Sequence, residues 1–145
     1  MATEILVNDG GAPARIMNLG NANVALSAGT FVDMNSSGKI IAAADDQEAS
    51  TSGQKVALGV LLVDAAAAQP TSIVTGKGIV CNVLVGADDD SMAIGAELTV
   101  NELGKVEATA DGDHHRAVAI QLAAIDTAAT DSSGSTVSMV KVLLI

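Results

Sequence analysis

The chain predicts an all-β fold, a small β-barrel or sandwich with internal pseudo-duplication and an N-terminal arm. Three observations carry that expectation. One stretch occurs twice, apolar residues alternate with a period of two or run in short blocks, and turn-forming residues separate those blocks at short, regular spacing. Residues 28–46 read AGTFVDMNSSGKIIAAADD and residues 94–112 read IGAELTVNELGKVEATADG. Laid over each other without a gap, seven of nineteen positions are identical: Gly29/Gly95, Asn35/Asn101, Gly38/Gly104, Lys39/Lys105, Ala42/Ala108, Ala44/Ala110 and Asp45/Asp111.

Residues 1–27 read as an N-terminal arm or a pair of edge strands, and residues 28–145 as the barrel domain. A short strand is predicted over residues 4–7, followed by the loop NDGGAPA, then weak alternation over 15–19 and 23–26. The first hairpin, residues 29–46, has Val32 and Met34 alternating with Phe31 and Asp33, the pattern of a half-buried strand. Asn35 to Gly38 supplies the turn, with Gly38 able to adopt φ > 0, and Ile40, Ala42 and Ala44 resume the alternation. Residues 45–54 form a polar loop, 56–63 a strand ended by Asp64, and 65–69 a helical turn or loop stopped by Pro70. Strands over 71–75 and 78–85 flank a tight turn at Gly76-Lys77-Gly78.

GADDDS leads into the second hairpin, residues 95–112, with Leu98, Val100, Val106 and Ala108 at the alternating positions. DGDHHR is a second polar loop. Residues 117–125 take the place of 56–63. Their Val118, Leu122 and Ile125 also suit a helix, but the parallel with the first half favours a strand. Residues 127–134 read as a Ser/Thr/Asp-rich loop and 137–145 as a closing strand, apolar to its last residue and therefore expected inside a sheet.

Composition bounds the function. The 145 residues suit one domain, and 49% are hydrophobic, enough for a core. Yet there is no Trp, no Tyr and only Phe31, so small aliphatic side chains must fill it. Each buries little area, and a fold built this way should gain stability by burial against neighbours. A formal charge of −10 disfavours nucleic acid, whose phosphates need a basic footprint. The lone Cys81 sits in an apolar run, excludes an internal disulfide and any multi-cysteine zinc site, and reads as a buried inert thiol. No basic region followed by an apolar run opens the chain, so no export signal is expected, and no apolar run is long enough for a membrane helix.

The segments AGTFV, NSSGKIIAAAD, ALGVLLVDAA, GIV, AIGAELTV, GKV and TVSMVKVLL follow one another in an order that resembles the small tailed-phage capsid decoration (cement) proteins, a family whose members have often been labelled predicted recombinases. The resemblance spans about residues 27–145. It implies a β-barrel-like homotrimer on the outer face of an icosahedral capsid, made in the host cytoplasm, bridging capsomers of the major capsid protein near local threefold positions. It implies no reaction and no cofactor, and no contact with nucleic acid or membrane.

A phosphate-binding loop needs Gly-x4-Gly-Lys followed by a hydroxyl, because the hydroxyl binds magnesium. Gly38-Lys39, Gly76-Lys77 and Gly104-Lys105 are followed by Ile40, Gly78 and Val106, so nucleotide hydrolysis is excluded. Asp111, Asp113, His114 and His115 are the metal-like cluster. Neighbouring histidines on a strand point to opposite faces, so a solvated loop is expected. Asp88-Asp89-Asp90 lacks the spacing of a calcium loop and reads as a solvated turn. No Ser lies in Gly-x-Ser-x-Gly, and no enzyme is predicted. Phe31 stands where the second copy has Glu97, which points to a contact surface with a neighbouring chain, with the chain's own core and an exposed position as the competing places for the ring. The function predicted is a cement protein. The alternative is a virion-surface module for a host receptor or glycan, against which the lack of aromatic platforms counts.

Overall fold

The computed structural model describes residues 5–8, 15–43, 57–86, 93–101, 103–109, 117–120, 124–130 and 136–145. Among them are strands and no helix: β1 (Leu6–Asn8), β2 (Arg15–Met17), β3 (Phe31–Met34), β4 (Ile40–Ala42), β5 (Gly59–Leu61), β6 (Ile73–Thr75), β7 (Val80–Leu84), β8 (Glu97–Val100), β9 (Val106–Ala108), β10 (Ala117–Ala119), β11 (Ala124–Thr130) and β12 (Thr136–Leu144). They make two antiparallel sheets. One runs β1-β7-β12-β10-β8-β9, with β11 also on β12, and the other runs β2-β6-β5-β3-β4.

The repeated stretches form hairpins in the same register. Val32 pairs with Ala42 and Met34 with Ile40, while Leu98 pairs with Ala108 and Val100 with Val106. The turns also match. Asn35 Oδ1 accepts from the amides of Ser37 at 2.9 Å and Lys39 at 3.0 Å, and Asn101 Oδ1 accepts from Leu103 at 3.0 Å and Lys105 at 3.1 Å. An Asn that satisfies its own turn, followed by a left-handed residue, closes such a hairpin. Gly38 (φ 72) and Gly104 (φ 69) supply that residue.

Each sheet curls back on itself. Val85, just after β7, makes a parallel bridge to Val106 in β9, and the Gly86 amide donates to Val106 O at 2.9 Å. In the other sheet Ala22 makes a parallel bridge to Ile40 in β4, and the Asn23 amide donates to Ile40 O at 2.8 Å. The bridges cover the free sides of β9 and β4, edges that would otherwise template aggregation, while β1 and β2 stay at the outer positions.

The small barrel of the second sheet is filled by Leu26, Val32, Ile40, Leu61 and Ile73. Successive strand residues point to opposite faces. Hence Phe31, Val60 and Val74 lie on the outer face of that sheet, and they join Leu98, Val100, Val106, Val83 and Val142 in one larger core. The half-buried alternation expected for residues 31–34 is therefore not what β3 shows: Phe31, Val32 and Asp33 are all buried, because the first sheet covers the face expected to be wet.

Other boundaries move as well. Residues 117–125 are strand and not helix where described, but in two pieces, β10 and the start of β11. β11 continues through residues expected to be loop, because it zips onto β12, with Ala124 opposite Met139 and Asp126 opposite Val137. β12 lies inside its sheet between β7 and β10, as the apolar residues Met139, Val140, Val142 and Leu144, all buried, require. β1 and β2 take the outer positions of the two sheets. Ala22 and Leu26 are core residues, so the packing does not divide at residue 27.

Candidate binding surfaces

The two sheets meet at a junction built around Gly29, Thr30 and Phe31. Gly29 O accepts from the Leu84 amide at 3.0 Å, and the Phe31 amide donates to Gly104 O at 2.8 Å. The turn of the second hairpin thus sits directly on the first strand of the first hairpin. A Cβ at Gly104 would lie 2.4 Å from Phe31 O and 2.6 Å from Thr30 Cγ2, closer than real Cβ atoms come. The glycine is required by contact as well as by its dihedral angle.

Phe31 is 3% exposed at this junction. Its ring is buried inside the chain, between the sheets, and offers almost no surface to a neighbour. The reason is register: an odd-numbered position on β3 faces outward from its own barrel, and the first sheet occupies that space.

The matching surface of the other hairpin is open. The Gly29 amide donates to Leu61 O at 2.8 Å, and the Gly95 amide donates to Ala119 O at 2.7 Å, so the two ends of strand are built alike. Ala28 and Leu62 pack against the core in the first case. In the second, Ile94 is 65% and Ile120 40% exposed. Nothing lies within 4 Å of a Cβ placed on Gly95.

Groups that could carry chemistry are sparse. Among the described residues no three His, Cys, Asp or Glu side chains gather as a metal site would need. Asp88 to Asp90 and the cluster of Asp111, Asp113, His114 and His115 lie outside the described residues. Gly76 (φ 136) and Gly78 (φ 77) make the exposed turn expected between β6 and β7. A recess of about 230 Å³ lies beside Phe31, Gly59, Thr75, Lys77 and Leu144, below the volume of an ordinary small-molecule site.

Sequence reading missed one feature. Asp33 is buried, with Oδ1 accepting from the Met34 amide at 2.6 Å and Oδ2 without a hydrogen-bond partner among the described residues. At the matching position in the second hairpin, Thr99 Oγ1 is buried and unpartnered too. The signal was a polar residue at the same strand position in both copies, read as an outward, wet face.

Cys81 is fully buried, and burial pushes its thiol from 9.0 up to about 11. A thiol reagent at pH 8 should therefore label the folded protein negligibly and the denaturant-unfolded protein stoichiometrically, since the thiolate is the nucleophile. Below pH 9.0 both states hold the proton. Between 9.0 and about 11 only the unfolded chain releases it, so Cys81 makes stability fall as pH rises through that window.

No protein-family profile and no curated protein matches this chain. Among solved structures, the fold is similar to that of the N base of head fiber gp8.5 in bacteriophage phi29, with a TM-score of 0.61 and 13% identity over 92% of this chain and 95% of that one. At that identity the likeness is one of fold.

Proposed function

We propose that this protein is a structural component of a phage head, and specifically a decoration protein that sits on the outer face of the capsid as a homotrimer and stabilises it by bridging capsomers. The observation that carries the reading is the likeness to a head-fiber base, because it spans nearly the whole of both chains. The acidic composition supports an outer position, away from packaged DNA. The aliphatic, nearly aromatic-free core supports a fold that gains stability from neighbours. The reading assigns the chain no reaction and no cofactor. Burial across capsomer boundaries resists outward pressure by itself.

Co-sedimentation with shells of the major capsid protein that lack this chain tests the proposal. Saturable binding at fixed stoichiometry, with delayed heat rupture of the particles, is the expected result. A chain that leaves shells unbound and binds a cell-surface glycan with no shell present would replace this reading with an attachment module.

A further inference from the structure

We infer that copies of this chain associate head to tail, the turn at residues 35–38 of one copy seating on the open face of β8, β10 and β12 of the next, in the manner the Gly104 turn seats on β3 within the chain. This deepens the homotrimer reading above by naming its contact, and it rests on that reading for the number of copies only.

Two rows of residues lie at equal register in the two halves. On the first hairpin side, Phe31 is opposite Val60, and Val60 opposite Val74. On the second, Glu97 is opposite Val118, and Val118 opposite Leu143. The first row is buried throughout, and the Gly104 turn is what meets its Phe31 end. The second row is open: Glu97 is exposed and Val118 and Leu143 are half-buried, with Ile94 and Ile120 exposed beside them. The occupant that would cover it is already encoded. The first hairpin carries the same Asn-to-Gly turn, with the same Asx hydrogen bonds and the same left-handed glycine. Where Gly104 is pressed against the Phe31 carbonyl, Gly38 faces space with no atom within 4 Å of a Cβ. The Gly38 carbonyl oxygen lies against Gly20 of its own chain, 2.8 Å from where a Cβ there would stand, so the open side of this turn is the one a Gly38 Cβ would point to. One chain therefore holds one used pair of matching surfaces and one pair left open on that side. The unused turn and the unused face lie on different barrels, so the contact is heterologous, and such contacts close into rings when the rotation allows. Three copies closed this way would alternate six barrels around the axis.

Two surface substitutions test this. Ile94→Glu places a charge on the open face. Gly38→Asn adds bulk to the turn while keeping a residue type that tolerates the left-handed conformation. Mass photometry and light scattering should show wild-type oligomers, and each variant alone should associate at least about ten-fold more weakly while keeping the wild-type circular dichroism spectrum. Mixed in equal amounts, the two variants should form a heterodimer, because one retains a sound turn and the other a sound face. A monomeric wild type overturns the inference whether or not shells are bound. Loss of association in Ile94→Glu with none in Gly38→Asn also overturns it, since that pattern marks a symmetric contact. Oligomers that form as expected but ignore shells leave the contact standing and remove the capsid proposal.

Discussion

Gly104→Ala should destabilise the chain by at least about 3 kcal/mol, and the same change at Gly38 should cost the monomer only about 1 kcal/mol. The two glycines occupy matching turns with nearly equal dihedral angles, φ 69 and φ 72. The strain of placing a Cβ in the left-handed region is common to both and roughly 1 kcal/mol. What differs is the surroundings. At Gly104 the added carbon would stand 2.4 Å from the Phe31 carbonyl oxygen, a backbone atom held in a strand. The strand or the turn must move, which lengthens the 2.8 Å bond from the Phe31 amide to Gly104 O and opens the junction. At Gly38 nothing within 4 Å resists. Urea midpoints for the two variants, compared at dilutions where only monomer is present, measure the difference. Equal losses would show that the junction contributes no more than the turn itself.

How much of this was legible beforehand depended on the reach of the interactions. The hairpins were readable because an Asn, a Gly and a two-residue alternation act within nineteen consecutive residues. The closing strand was readable because nothing polar interrupts its buried side. Phe31 was misplaced because alternation tells which residues share a face and not what covers that face. Its covering comes from residues some seventy positions later, and only the fold brings Gly104 O to its amide. The same gap explains Asp33, whose wet face turned out to be covered. β11 was missed because Ala and Asp carry little strand propensity, and its pairing with β12 decides the matter from outside the segment. The open face on β8 and β10 was invisible for the opposite reason. Ile94 and Ile120 look like core residues until their half of the junction is found without a partner element.

Phe31→Ala should cost about 3–5 kcal/mol, the range for truncating a buried Phe, and it should act at the junction between the two sheets. Phe31 is the largest apolar side chain in a core otherwise made of Val, Leu, Ile and Ala with Cys81 and Met139, and it is 3% exposed. Small neighbours cannot reach across the void that its ring would leave, since each is held in its own strand register, so little of the cavity can collapse. The residue at the matching position supplies the comparison. Glu97 is exposed on β8, and Glu97→Ala should change stability by no more than about 1 kcal/mol, the scale of an exposed polar contact. Chemical denaturation of both variants under monomeric conditions checks the pair. If Phe31→Ala were as mild as Glu97→Ala, the ring would not be buried between the sheets of one chain, and the contact with a neighbouring copy expected from the sequence would be the better account of this aromatic.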